Sequence, residues 1–267
     1  MNPYISYLKL KIKTGLQYRA AAIAGISTQF FFGMMYVLIY LAFYESNTSS
    51  APMPLKELIS YTWLVQAFLS LVYLWTLDKE LISSIKDGNI AYELCRPQDL
   101  YYMWLSRILG DRVAKVLLRF PLVIIVCALL PFPYKLDLRI GLINLLVFLI
   151  ALILSTILAT VLILLFHIIC LYTLDEKGIV NMFMVISEVL SGLTIPIPFF
   201  PKYLQHISNI LPFRYITDFP FRFYVGNIPL NEGIISIGIQ IIWIFVLIKV
   251  GRLLLKKALK KVVVQGG

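Results

Sequence analysis

Residues 140–165 form an apolar stretch without a single charged side chain. A helix needs roughly 20 mostly apolar residues to cross the hydrocarbon core of a bilayer, so this stretch is long enough to do so. Of all residues, 60% are hydrophobic and only 14% are charged, and the mean hydropathy is +0.85. A soluble globular domain does not have this composition. The sequence therefore predicts an all-α integral membrane protein.

Apolar windows of sufficient length recur along the chain and predict six transmembrane helices. The fourth window is too long for a perpendicular span, so the helix must tilt or project beyond the bilayer. The third contains Pro121, which predicts a kink. The fifth is short because Pro196 and Pro198 follow it. The predicted spans are residues 20–43, 58–77, 105–130, 140–172, 178–193 and 233–255.

The distribution of Lys and Arg predicts the orientation, because cytoplasmic segments are enriched in these residues. With the N-terminus inside, six crossings return the basic C-terminus to the same side, so we expect a multi-pass protein of the cell membrane with both termini in the cytoplasm. The net charge of +10 is then explained by lysines at anionic lipid headgroups rather than by nucleic acid. The inner cations are Lys9, Lys11, Lys13, Arg19, Lys79, Lys86, Arg96, Arg107, Lys177 and those of the tail, and the outer cations are Lys56, Lys135, Arg139, Lys202, Arg214 and Arg222.

The residue types that usually carry catalysis are scattered. Cys95, Cys127 and Cys170 fall in an inner loop and two spans, which predicts neither a disulfide nor a metal site. His167 and His206 lie on opposite sides of the predicted membrane. No GxxxxGK[ST] phosphate loop occurs. We expect no catalytic residue, no metal and no cofactor in this chain, so any ATP that drives it must bind another chain.

The N-terminal segment, residues 1–19, has apolar residues at helical spacing with lysines flanking the stripe. This pattern is typical of an amphipathic helix at the membrane interface. The alternation over residues 8–13 also fits a strand, but a helix is favoured because the segment runs straight into a span. The apolar positions are Ile5, Leu8, Ile12 and Leu16, and the flanking lysines are Lys9 and Lys13.

The inner loop of residues 78–106 is the longest and most charged inner connection. Apolar residues precede a turn at residues 87–89, and more follow before Pro97 ends the element. This pattern predicts a short helical hairpin with a charged surface. The hairpin is either a solvated loop or a docking surface for a cytoplasmic partner.

Several charges mark the start of the third span. Arg107, Asp111 and Lys115 are spaced i, i+4, i+8 on one helix face, where adjacent turns can pair them. We expect these residues, with Arg112 and Arg119, to lie at the level of the lipid headgroups.

The outer segment, residues 194–231, is rich in proline and carries an apolar stripe at Leu204, Ile207, Ile210 and Leu211. An ordinary hydrophilic loop lacks such a stripe, so we expect this segment to re-enter or lie on the membrane. Glu188, just before it, is an acid inside a predicted span. It is either a functional residue or a buried acid hydrogen-bonded to a neighbouring helix.

These features, in this order, resemble the permease subunits of ABC-2 type transporters, which are ATP-driven exporters. The resemblance covers essentially the whole chain, and two stretches carry it. Residues 86–97, KDGNIAYELCRP, look like the inner loop of a bacterial branch of that family. Residues 190–213, from LSG through Pro196 and Pro201 to ILPF, look like its outer segment between the last two spans.

The resemblance implies one transmembrane domain over residues 1–267. This domain would have an elbow helix (1–19), six spans, a cytoplasmic coupling loop that contains a coupling helix (78–106), and a re-entrant outer segment (194–231). Two permeases, identical or related, would join two P-loop ATPase subunits that bind ATP and Mg²⁺. The implied ATPase-coupling residues are Lys86, Asp87, Gly88, Asn89, Glu93 and Arg96, and the implied substrate path or gate contains Glu188, Ser191, Gly192, Pro196 and Pro198.

Two other classes of function remain open. An ion-gradient-driven transporter would normally show internal repeats and acids near the middle of the membrane, whereas here there is no evident repeat and only Glu188. A membrane-embedded, lipid-modifying enzyme would need converging His, Asp, Glu or Cys side chains, which the spans nearly lack.

Overall fold

The computed structural model describes residues 2–46, 51–75, 77–138, 140–173 and 178–260. Within these ranges every regular element is helical and no strand occurs. Single turns of 3-10 helix lie at Ile197–Phe199 and Phe213–Tyr215. The α-helices are α1 (Pro3–Gly15), α2 (Arg19–Ser46), α3 (Leu55–Ala67), α4 (Leu69–Val72), α5 (Lys79–Lys86), α6 (Ile90–Leu94), α7 (Leu100–Leu129), α8 (Leu142–Thr173), α9 (Ile179–Leu190), α10 (Lys202–Ile210), α11 (Asp218–Tyr224) and α12 (Leu230–Leu259).

Four helices dominate the fold. Helices α2, α7, α8 and α12 contain 28, 30, 32 and 30 residues, which makes each roughly 42–48 Å long at 1.5 Å per residue. Of these, α2, α8 and α12 are long and apolar enough to cross a membrane, whereas α7 carries several charges in its first half. The described residues thus contain three clear spans, and the number six stays a prediction.

Helix α8 lies at the centre of the fold. It contacts α12, α11, α7, α4 and α5, and most of its side chains from Ala151 to Ile168 are buried. Helices α2 and α12 instead turn large apolar side chains outward, such as Phe31 and Phe245. Apolar side chains in this position suit a lipid environment.

The predicted span of residues 58–77 is not one continuous helix. Helix α3 ends at Ala67, α4 adds one turn, and the backbone is extended at Tyr73. The guanidinium of Arg112 is buried and donates hydrogen bonds to the carbonyls of Leu71 and Tyr73, the latter at 2.6 Å. Arg112 is therefore held inside the protein, where it satisfies carbonyls that the broken helix leaves free, and its level relative to the headgroups stays a prediction.

The N-terminal segment is the helix α1, so the strand alternative for residues 8–13 is wrong. The side chain of Asn2 caps the helix by accepting from the backbone N–H of Tyr4 at 3.0 Å. Helix α1 packs along α7, and Gly110 permits a close approach, since a Cβ there would lie 2.8 Å from the Cβ of Lys11. No residue of α1 is fully buried.

The outer segment is folded rather than loose. After α9 ends at Leu190, the chain forms α10, α11 and the two 3-10 turns before α12 begins. Phe219, Phe221 and Phe223 are buried where α11 packs on α8 and α3. Ile207 and Ile210 of α10 are exposed, and the position of this segment relative to the membrane stays a prediction.

Candidate functional site

The inner hairpin consists of α5, the turn at residues 87–89, and α6. Asp78 caps α5 by accepting from the backbone N–H of Leu81 at 3.0 Å. The side chains of Leu81, Ile82 and Ile85 are buried, and α5 packs on α8. Gly88 has a φ of 73°, a left-handed conformation that glycine adopts without strain. The hairpin is thus fixed to the spans by its apolar side.

Polar contacts fix the start of the hairpin. Arg107 binds the Asp78 carboxylate through two nitrogens, one of them at 2.9 Å, and also contacts Glu80. Burial disfavours ionisation of Asp78, but the hydrogen bonds and charge of Arg107 outweigh it and lower the pKa of this carboxyl. The backbone N–H of Asp78 donates to Nε2 of His167 at 2.9 Å, while Nδ1 of His167 lies 2.8 Å from the Ile163 carbonyl. These bonds require the neutral imidazole with its proton on Nδ1.

The predicted ATPase-coupling residues fall into two groups. Lys86, Asp87 and Asn89 are exposed at the tip of the hairpin, where Gly88 forms the turn, and Arg96 is exposed just beyond the end of α6. Glu93 is half-buried, and its Oε2 accepts from Nε1 of Trp104 at 2.6 Å, so it holds α6 against α7.

One exposed residue of the hairpin, in α6, was missed at the sequence level. The Tyr92 side chain is 76% exposed between the predicted charges. An aromatic residue within a charged inner loop was the available signal, since such residues often anchor protein interfaces.

The predicted gate residues lie together at the end of α9. Ser191, Gly192 and Pro196 are buried, and Pro198 and Glu188 are half-buried. Gly192 has a φ of 79°, and its carbonyl accepts from the Tyr61 hydroxyl at 2.8 Å.

Asp218 organises this region and was missed at the sequence level. It is fully buried, and its Oδ1 accepts from the backbone N–H of Ile197 at 3.0 Å. Its other oxygen pairs with Arg222 at 3.1 Å and with Arg214 at 3.5 Å. Its own backbone N–H donates to the Ser191 carbonyl at 3.0 Å. The available signal was the spacing of an acid four residues from an arginine on either side.

A buried amide connects the outer segment to the central helices. Nε2 of Gln240, in α12, donates to the carbonyl of Tyr215 at 2.8 Å and to Oγ of Ser155 at 2.9 Å. Ser155, in α8, also donates to the Tyr215 carbonyl at 3.0 Å. These bonds join α8, α12 and the outer segment in one place.

Together, these helices and their lipid-facing surfaces define a multi-pass membrane protein. Among the residues that the structure describes, no group of three or more His, Cys, Asp or Glu side chains could hold a metal ion.

The family model described as ABC-2 family transporter protein matches residues 30–266, and the chain belongs to this family. Membership makes it a membrane component of ABC-type transport rather than a catalytic enzyme, and implies association with ABC ATPase subunits. No curated protein and no solved structure matches the chain.

Proposed function

We propose that this chain is the permease subunit of an ATP-driven ABC-2 exporter. It forms the substrate path with a second permease, either another copy or a related chain, and separate P-loop ATPase subunits bind ATP and Mg²⁺. The observation that carries the proposal is the inner hairpin, which is fixed at its base and exposed at its tip. A docking element needs both properties, because a loose loop would absorb the motion of the partner instead of transmitting it.

The base of the hairpin offers a route for motion into the spans. Asp78 bonds to Arg107 of α7 and to His167 of α8, while Lys11 of α1 lies 3.9 Å from Glu80. A displacement of the hairpin on ATP binding would therefore act on three helices at once. In this proposal α1 acts as the elbow helix, and the inner hairpin contains the coupling helix.

A second set of contacts extends the route to the outer segment. Helix α8 runs from His167 to Ser155, and Ser155 and Gln240 both hold the Tyr215 carbonyl. From there, Asp218 reaches the backbone of Ser191 and Ile197. In our proposal the outer segment is the gate, and Glu188, Ser191, Gly192, Pro196 and Pro198 border the substrate path.

The proposed setting is the cell membrane, with both termini in the cytoplasm. The basic residues of α1, the inner hairpin and the end of α12 support this orientation through the positive-inside rule. The exposed apolar side chains of α10 support an outer segment that re-enters or lies on the bilayer.

The docking role is tested by replacing Asp87 and Arg96 with Ala in the full complex. We expect less ATPase to co-purify while membrane insertion stays intact, because both side chains are exposed, Asp87 at the tip of the hairpin and Arg96 beyond the end of α6. Tyr92→Ala should weaken association further, as truncated aromatic anchors often cost about 2 kcal/mol or more, roughly 30-fold in affinity.

A matched control separates docking from local folding. Oγ of Ser83 donates to Oδ2 of Asp87 at 2.7 Å, so Ser83→Ala removes the same hydrogen bond but keeps the carboxylate. Retention of ATPase by Ser83→Ala and loss by Asp87→Ala would support direct docking. Full retention by all the tip variants would remove the docking assignment.

A further inference from the structure

A groove of about 770 Å³ lies between the end of α12 and the chain that links α6 to α7. Its apolar walls include Leu94, Leu100, Phe245 and Leu253. Phe245 and Leu253 are 69% and 53% exposed, so the groove opens onto the lipid-facing side of α12. None of its lining residues belongs to the gate proposed above.

The groove also carries positive charge. Lys249, Arg252 and Lys256 line it at spacings of three and four residues, which places them on one face of α12. Arg252 is engaged by Asp99 at 3.2 Å and lies over the ring of Tyr102. Lys249 and Lys256 have no ion-pair partner in the described part of the chain.

The two acids that line the groove, Glu93 and Asp99, form no ion pair with either lysine. Asp99 is paired with Arg252, and the Glu93 carboxylate keeps its charge but is held by the Trp104 indole rather than by a lysine. The three cations that line the groove therefore exceed its two acids by one charge. Two unpaired ammonium groups therefore stand beside an apolar cleft that faces the bilayer.

We propose that this groove binds one anionic phospholipid, with its phosphate between Lys249 and Lys256 and its acyl chains against Phe245 and Leu253. Free phosphate would leave the apolar walls uncovered, whereas a phospholipid satisfies both parts of the groove. The site goes beyond the proposed transport function and does not depend on ATPase docking. It relies on the proposed orientation for one point, namely that the lipid comes from the cytoplasmic leaflet.

The proposal also assigns the lipid a position next to the docking element. Glu93 and Leu94 belong to α6 and line the same groove. A bound lipid would thus lie against the end of α6 and support the inner hairpin on that side.

The test is native mass spectrometry of the full chain in a neutral detergent, titrated with phosphatidylglycerol or with phosphatidylcholine of the same acyl chains. We expect wild type to retain one phosphatidylglycerol per chain and to bind phosphatidylcholine at least tenfold more weakly. Each lysine near an anionic headgroup contributes about fivefold in affinity, so Lys256→Gln should weaken binding about fivefold and Lys249→Gln/Lys256→Gln about 30-fold.

Lys257→Gln is the matched control, because Lys257 is adjacent and exposed but does not line the groove. It should bind phosphatidylglycerol as wild type does. Equal binding by all variants, equal binding of both lipids, or displacement of the lipid by inorganic phosphate would overturn the proposal. So would a change in oligomeric mass of the double variant without lipid loss, because that would make the groove a subunit interface.

Discussion

Replacing Asp218 with Asn should loosen the outer segment and leave the inner hairpin unchanged. The amide keeps the shape of the side chain but removes the negative charge that Arg222 and Arg214 face at 3.1 and 3.5 Å. A hydrogen bond to a charged group contributes about 1.5–3 kcal/mol, and breaking a buried pair costs about 3–5 kcal/mol. Both arginine side chains are 15% exposed and Arg222 also bonds to Asn227, so we expect a loss of about 2–3 kcal/mol.

The assay is thermal unfolding of the purified chain in detergent, followed by intrinsic fluorescence. A loss of this size corresponds to a decrease of about 5–10 °C in the midpoint for a chain of this length. Asp111→Asn is the matched control, because its pair with Lys115 is half-exposed and an exposed pair contributes only about 0.5 kcal/mol. Equal midpoints for the two variants would refute the role given to Asp218.

The same unfolding assay tests Gly192 and Arg112, and hydrogen exchange tests His167. Gly192→Ala should lower the midpoint more than Gly88→Ala, because both glycines have positive φ but only a Cβ at Gly192 would meet another residue, Asp218, at 2.9 Å; equal decreases would contradict this. Arg112→Met should lower it by several degrees, since it leaves carbonyls at the end of α4 without a donor, and a wild-type midpoint would exclude the capping role. His167→Leu should speed hydrogen exchange at residues 79–86, because it removes the acceptor of the backbone N–H where the hairpin begins; unchanged exchange would show that the apolar contacts suffice.

The long helices could be predicted from the sequence because the bilayer restricts the secondary structure that an apolar segment can adopt. Helices α2, α8 and α12 begin and end within a few residues of the predicted spans. An apolar stretch of that length must form its backbone hydrogen bonds within the segment itself. The inner hairpin could also be predicted from the sequence, because its signals are local. Asp78 caps the first helix, Gly88 forms the turn, and Leu81 and Ile85 form the apolar face.

The features that the sequence did not reveal depend on contacts between distant residues. The end of α4 is stabilised by Arg112, which a local apolar window cannot detect. Asp218 looks like an ordinary loop acid until the fold brings the backbone of Ser191 and Ile197 to it. Gln240 likewise gains its role only when α8 and the outer segment pack against α12. Such polar contacts are specified by tertiary structure rather than by periodicity.

The most direct test of the central claim is isolation of this chain from native membranes in a mild detergent, with identification of its partners and an assay of ATP hydrolysis. The account predicts that a P-loop ATPase co-purifies and hydrolyses ATP, and that the tip variants of the inner hairpin reduce its recovery. A clean preparation without an ATPase would contradict the account and would favour a transporter driven by an ion gradient.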